Sequence, residues 1–294
     1  MTSLMRSKLF IPANKPELFN KALNSAADAI CFDLEDAILP AQKDAARKIL
    51  RSFLSQPPET KKMLLVRVNT VNSADFERDL EAAVLPALSM ITLPKVQDAE
   101  EVRTAADAMS GLERTRGLPH PLALLPTIES PRGLRLAEVI ASAGDRVAGL
   151  QLGFADLFEP LNIRQSDTRA RYEVRLRLRF AAGEAGVPCF DSVYTNIADE
   201  EGFLQDAKTA RDLGFSGKSC IHPRQIEPAN RVFSPTAEEI AMSMRILDAA
   251  DSASQAGQAV YVLDGRMIDE PFIRHAKALL RFAETLGLLE SDKK

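Results

Sequence analysis

Short apolar, β-branched runs alternate along the chain with longer amphipathic segments. That rhythm is expected of repeated β-α units building a parallel sheet. The strand candidates are "KLFIPA" from Lys8, "AICFDLED" from Ala29, "MLLVRVN" from Met63, "MITLPKV" from Met90, "LALLPTIE" from Leu122, "RVAGLQLG" from Arg146, "PCFDSVY" from Pro188 and "GKSCIHP" from Gly217. Most are followed by a helical pattern. After the second, Pro40 opens "AQKDAARKILRSFL", where Ala45, Ile49, Phe53 and their neighbours recur at helical spacing. After the fifth, Ser130 and Pro131 stand at the N-cap and first helical position, and Gly144 is the expected stop. "RARYEVRLRLRFAAGEAG" alternates basic and apolar residues like a strand, but its length and its ending at Gly186 favour a helix.

Eight such units predict a (β/α)8 TIM barrel over residues 1–233. The rhythm then stops. Residues 234–294 read as a C-terminal helix-hairpin-helix extension, with the hairpin turning at Asp264 and Gly265. It is too small for a convincing core of its own and is expected to pack on the barrel or on a neighbouring subunit.

Of 294 residues, 46% are hydrophobic and 27% charged, which is the composition of a globular protein with ample core material. A formal net charge of −4 and the absence of any long basic block offer no reason to expect a nucleic acid or a membrane as partner. No apolar run reaches the length of a membrane span, and the N-terminus lacks the pattern of a secretory signal. Cys31, Cys189 and Cys220 lie far apart in apolar contexts, which suits buried reduced thiols in a cytoplasmic protein. The tail "ESDKK" is expected to fray.

In a barrel, groups at the C-terminal ends of strands meet at one mouth. Here these are Asp33, Glu35 and Asp36 after the second strand, Arg67 and Asn69 after the third, Lys95 after the fourth, Glu129 after the fifth and Asp156 after the sixth, with Asp191, Lys218 and His222 on the last two. The excess of acid calls for a cation. Carboxylates without neighbouring His or Cys suit a hard ion such as Mg²⁺, and Mn²⁺ would also be accommodated. Glu129 and Asp156, on successive strand ends, are the expected ligands. Glu35 and Asp36 are expected to hold waters or orient basic groups around them. Arg67 fits a carboxylate or a developing oxyanion. His222 fits a hydrogen-bonded structural group better than a ligand, and spacing alone assigns it no role.

"RSKLFIPA", "FDLEDAI", "LLVRVN", "LPKV", "TIESPRGL", "GFADL" and "GKSCIHPRQI" follow one another across nearly the whole barrel. Together they resemble the citrate lyase β-subunit-like family of the aldolase and citrate lyase superfamily. The resemblance implies a Mg²⁺-dependent lyase that cleaves a carbon–carbon bond in a 3-hydroxyacyl thioester. It implies Glu129 and Asp156 as metal ligands and Arg67 as a substrate residue. "VLDGRMIDEP" looks like the tail of stand-alone malyl-CoA and citramalyl-CoA lyases, and the likeness implies that Asp264 acts in the mouth of a neighbouring subunit, hence a homo-oligomer, trimer or hexamer. Arg6 and Lys15 are candidates for the CoA phosphates. Citramalyl-CoA, cleaved to acetyl-CoA and pyruvate, is the favoured substrate. Alternatives are an L-malyl-CoA or β-methylmalyl-CoA lyase, a malyl-CoA thioesterase, and a non-catalytic or carrier-protein-dependent subunit of a citrate lyase complex.

Overall fold

Successive side chains of a strand point to opposite faces, so each inner strand of a barrel contributes one row to the helices outside and one to the lumen. The computed structural model describes residues 4–56, 59–255, 257 and 259–289, and the tail 290–294 lies outside them. Eight parallel strands close into a barrel: β1 (Ser7–Pro12), β2 (Ala29–Asp33), β3 (Met63–Arg67), β4 (Met90–Leu93), β5 (Ala123–Ile128), β6 (Leu150–Leu152), β7 (Cys189–Asp191) and β8 (Gly217–Cys220), with β1 pairing both β2 and β8. The chain divides after Phe233. The second unit holds helix Ala237–Gln255, hairpin strands β9 (Tyr261–Leu263) and β10 (Arg266–Ile268), and helix Glu270–Thr285. Asp264 and Gly265 turn that hairpin with φ of 53° and 76°, the left-handed pair that an Asp-Gly turn supplies. Among the described residues no helix is long and apolar enough to cross a membrane.

Most of the core lies between strands and helices. Phe32 of β2 meets Phe19 and Phe53 with ring centroids 4.9 and 5.4 Å away, pinning helices Pro16–Leu23 and Lys43–Ser55 to the sheet. The most buried residues of the second helix are Ala46, Leu50 and Leu54, neighbours of the residues that mark the expected stripe; Ala45 is exposed, and Ile49 and Phe53 pack at the edge of the core. The helix after β5 also differs from expectation. It breaks at Leu136 into Pro131–Arg135 and Ala137–Ala141 and ends before Gly144. Ser130 caps it as expected, accepting from the Gly133 N–H. The segment that reads like a strand is helix Thr168–Glu184, capped by Asp167.

The lumen is filled from below by Ala29, Cys31, Leu65, Met90, Leu125 and Phe190. Above them Lys8 Nζ donates across the barrel to Gln151 Oε1 at 2.7 Å. Burying an ammonium costs several kcal/mol unless it is well paired, so this bridge is a costly way to fill a lumen that apolar side chains fill elsewhere.

Asp191 and Lys218 do not face the mouth. Strand parity turns both outward, between β7, β8 and the helices Thr168–Glu184 and Glu200–Asp212. There Asp191 takes both Nε and Nη2 of Arg175 at 2.9 Å, while Lys218 Nζ donates to Asp191 at 2.5 Å and to Asp206 at 2.8 Å. Asn69 also turns away, bonding Asp79, Lys43 and the Leu34 carbonyl. All three cysteines are buried and free, and burial pushes Cys189 and Cys220 up to about 12.

Burial alone would raise the Asp191 and Asp206 carboxyls, but Arg175 and Lys218 outweigh it and hold both below the usual carboxylate range. A carboxyl depressed in the folded state stabilises above its unfolded pKa, near 4, and that stability is lost as pH falls toward the folded value. Urea unfolding should therefore show the native protein losing stability below about pH 4. Asp206→Asn should start about 3–5 kcal/mol less stable at pH 7, because it strands buried cations, and should decline less steeply in acid. Parallel pH profiles for the two proteins would contradict this network's role.

Candidate active site

Residues at the ends of β2 and β3 stand level, Asp33 beside Arg67. Arg67 Nε and Nη2 donate to the two Asp33 oxygens at 2.7 and 2.6 Å, a planar two-point grip. Its Nη1 lies 3.1 Å from Glu35 Oε2 and 3.7 Å from Asp36 Oδ2, and the guanidinium sits 5.1 Å over the Phe10 ring. Burial works against this cation, but Asp33 first and then Glu35 and Asp36 more than offset it, so its pKa rises further above the ordinary arginine value. Asp33 also accepts from the Glu35 and Ala37 N–H groups, which fixes the loop carrying the other acids.

Lys95, to which spacing alone assigns no role, stands at the centre. Its backbone is left-handed, φ 54°, unusual for a residue with a side chain. The turn aims the Lys95 N–H at Glu129 Oε1, 2.7 Å away. It also sends Nζ to Glu35 Oε1 at 2.7 Å, Asp36 Oδ1 at 3.2 Å and Asp156 Oδ1 at 3.5 Å. Glu129 directly follows β5 and is 4% exposed; Asp156 lies in the first turn of the short helix Phe154–Phe158 after β6. Burial, then the charges of Asp156 and Glu35, push the Glu129 carboxyl up to about 8. Gly153 backs this carboxylate so closely that a Cβ there would overlap Glu129 Oε2.

Asp33, Asp36, Arg67, Glu129 and Asp156 border a cavity of about 460 Å³ that runs into the barrel from its mouth, walled by Phe10, Leu152, Phe154 and Val193 and floored by Thr127, Gln151 and Ser219. A buried carboxylate raised by its like-charged neighbours is what a divalent cation would relieve, so Glu129 and Asp156 fit such an ion. Among the described residues no group of three or more His, Cys, Asp or Glu is gathered to hold a metal. An ion here would complete its shell with substrate and water oxygens, as Mg²⁺ commonly does.

The other expected residues fall elsewhere. Arg6 precedes β1 and is clamped by Asp28, which precedes β2, with Nε and Nη2 at 2.9 and 2.8 Å. That is the end of the barrel opposite the mouth, because both residues lie before their strands, so Arg6 does not join the mouth residues. Lys15 is exposed at the start of helix Pro16–Leu23, on the mouth side. His222 caps the turn Pro223–Gln225, its Nδ1 accepting from the Arg224 N–H at 3.2 Å. In the C-terminal unit Asp264 pairs with Arg245 at 2.6 Å, both half exposed.

The family model for HpcH/HpaI aldolase/citrate lyase matches residues 6–223. The chain belongs to this family. Its relatives include the citrate lyase subunit beta of Leuconostoc mesenteroides subsp. cremoris, 34% identical over 98% of this chain and 96% of that protein. The (3S)-malyl-CoA thioesterase of Cereibacter sphaeroides is 36% identical over 98% of this chain and 97% of that protein. Among solved structures, CitE from Mycobacterium tuberculosis in complex with magnesium, acetoacetate and coenzyme A superposes with a TM-score of 0.79 at 33% identity, covering 97% of this chain and 100% of that one. The family's enzymes include lyases and proteins acting on CoA thioesters.

Gly153→Ala forces a methyl group into the Glu129 side chain. Overpacking of this kind costs about 1–3 kcal/mol, or roughly 2–12 °C in Tm for a domain of this size. Calorimetry should record that fall; an unchanged Tm would mean that Glu129 has room to move.

Proposed function

We propose that this protein is a Mg²⁺-dependent carbon–carbon lyase that cleaves a 3-hydroxy-3-carboxyacyl-CoA thioester into acetyl-CoA and a 2-oxoacid. The observation that carries the reading is the placing of the Glu129 and Asp156 carboxylates and the pinned Arg67 guanidinium around one cavity. The related structure that contains magnesium, acetoacetate and coenzyme A supports the choice of ion and cofactor.

Glu129 and Asp156 would hold the ion. When bound, it supplies positive charge that acidifies the substrate hydroxyl and neutralises the new carbonyl. In the cleavage the hydroxyl loses its proton to water and its oxygen pair forms the carbonyl of the 2-oxoacid. The pair of the breaking C2–C3 bond passes to the thioester as an enolate. Arg67, held rigid by Asp33 and Glu35, presents its remaining donors to that enolate oxygen without reorganising. Glu35 and Asp36 orient Arg67 and Lys95 rather than touching substrate. Asp264 of a second copy protonates C2, completing acetyl-CoA, which requires a homo-oligomer. Lys15, exposed at the start of helix Pro16–Leu23, would meet a CoA phosphate. Citramalyl-CoA is the member of the class that the sequence resemblance favours.

Hydrolysis of malyl-CoA is the second reading, favoured by the 36% identity to a thioesterase. A panel of malyl-CoA, citramalyl-CoA and citryl thioesters separates the two: a lyase releases a 2-oxoacid with acetyl-CoA, a thioesterase free CoA with an intact hydroxyacid. Glu129→Gln and Asp156→Asn should each cut Mg²⁺-dependent turnover by about 100-fold or more, since the ion's charge is worth several kcal/mol; full turnover in EDTA would remove the metal from the mechanism. Mixing Asp264→Asn with Glu129→Gln protein should restore part of the activity that each lacks alone. No restoration would place Asp264 outside a shared site.

A further inference from the structure

Lys95 touches both expected metal ligands, yet no step of the proposed cleavage uses it. Its Nζ lies 2.7 Å from Glu35 Oε1, 3.2 Å from Asp36 Oδ1 and 3.5 Å from Asp156 Oδ1, and its N–H donates to Glu129 Oε1 at 2.7 Å. The ammonium thus stands beside Asp156 while the backbone of the same residue holds Glu129. Among the described residues no three His, Cys, Asp or Glu side chains are gathered to hold a metal. What Glu35, Asp36 and Asp156 surround is an ammonium.

An ammonium and a magnesium ion ask different things of the same oxygens. The lysine is satisfied at hydrogen-bond distances, whereas Mg²⁺ requires its oxygens at about 2.0–2.1 Å in a near-octahedral shell. An Asp156 oxygen drawn into that shell is lost to the lysine, and a second cation beside it is repelled. The two cations therefore compete for Asp156. That contact is also the longest of the three that Nζ makes, and it lies at the edge of the site: the Lys95 and Asp156 side chains are 33% and 38% exposed. It can break without opening the barrel. Glu35, whose side chain is only 6% exposed, holds Nζ at the shortest distance and retains it, with Asp36 beside it. Burial works against the lysine's charge, but Glu35 first and then Asp36 and Asp156 more than offset it, so its pKa stands above the ordinary lysine value. An ammonium that leaves Asp156 is still a paired cation.

We propose that Lys95 is a displaceable counter-ion of the metal site: its ammonium holds Asp156 and Glu35 against their mutual repulsion when no divalent ion is bound, and withdraws to Glu35 and Asp36 when one binds. Lys95 is then a positioning residue that keeps the empty site formed and sets its affinity for the ion. This rests on the metal assignment of the lyase reading. Titration calorimetry of the intact protein with MgCl₂, in the absence of substrate, tests it. Lys95→Met keeps the length of the side chain and removes the competing charge, so its Kd for Mg²⁺ should be at least about tenfold lower than that of the native protein. Lys95→Arg keeps the charge and should bind Mg²⁺ within a few-fold of the native protein. Without the ion, Lys95→Met should melt below the native protein, and saturating Mg²⁺ should close that gap. A residue that merely shaped the site would weaken Mg²⁺ binding when replaced. Crystal structures of the native protein without and with MgCl₂ follow the movement itself, whether or not a variant folds: with the ion, Nζ should lie more than about 4 Å from Asp156, beyond ion-pair distance, and remain on Glu35. Unchanged or weaker Mg²⁺ binding by folded Lys95→Met, or Nζ still paired with Asp156 beside the ion, overturns the counter-ion and leaves the metal site standing. If the native protein takes up no Mg²⁺, the metal assignment falls with it.

Discussion

Negative charge crowded at the barrel mouth is the constraint from which the rest of the site follows. Asp33, Glu35, Asp36, Glu129 and Asp156 meet there because parallel strands of a closed barrel all end on one side. Arg67 and Lys95 answer part of that charge. Arg67 is gripped by Asp33, lies beside Glu35 and becomes a fixed donor plane. Lys95 adopts a left-handed backbone so that one residue reaches carboxylates from three loops. Glu129 keeps a raised pKa despite Arg67 and the Lys95 N–H, through burial and the charges of Asp156 and Glu35, and a divalent ion would relieve that crowding.

A second ionic cluster, behind β7 and β8, has the same ingredients and the opposite character. Asp191 and Asp206 are saturated by Arg175, Lys218 and Arg171, and their carboxyls are lowered rather than raised. Complete pairing away from water makes it a structural clamp between strands and helices. The difference between clamp and reactive site lies in the ratio of cations to carboxylates, since both are built from the same residue types.

The lumen connects mouth and floor. Phe10 carries Arg67 over its ring at 5.1 Å and the Lys8 ammonium at 4.8 Å. One aromatic side chain thereby separates the cation at the mouth from the one deeper in the lumen.

The sequence by itself determined the barrel, the hairpin at Asp264 and Gly265, and the positions of Glu129, Asp156 and Arg67. Burial of one face is written as a local period of two or 3.6, and strand ends follow from where that period stops. Whether an end residue faces the mouth or the helices depends on parity within a closed barrel, and a shift of one residue reverses it. Asp191 and Lys218 read as mouth residues in the chain and turn outward in the fold for that reason. The stripe expected around Ala45, Ile49 and Phe53 has its most buried positions at their neighbours Ala46, Leu50 and Leu54, while Phe53 meets Phe32. Arg6 looked basic and available, but tertiary pairing with Asp28 fixes it at the opposite end. Lys95 and the Lys8–Gln151 bridge were decided only by the tertiary structure. The bridge joins residues 143 positions apart, and the Lys95 contacts reach back as far as 60 positions. Charges couple through space, and no local pattern in the chain records which of them the closed barrel brings together.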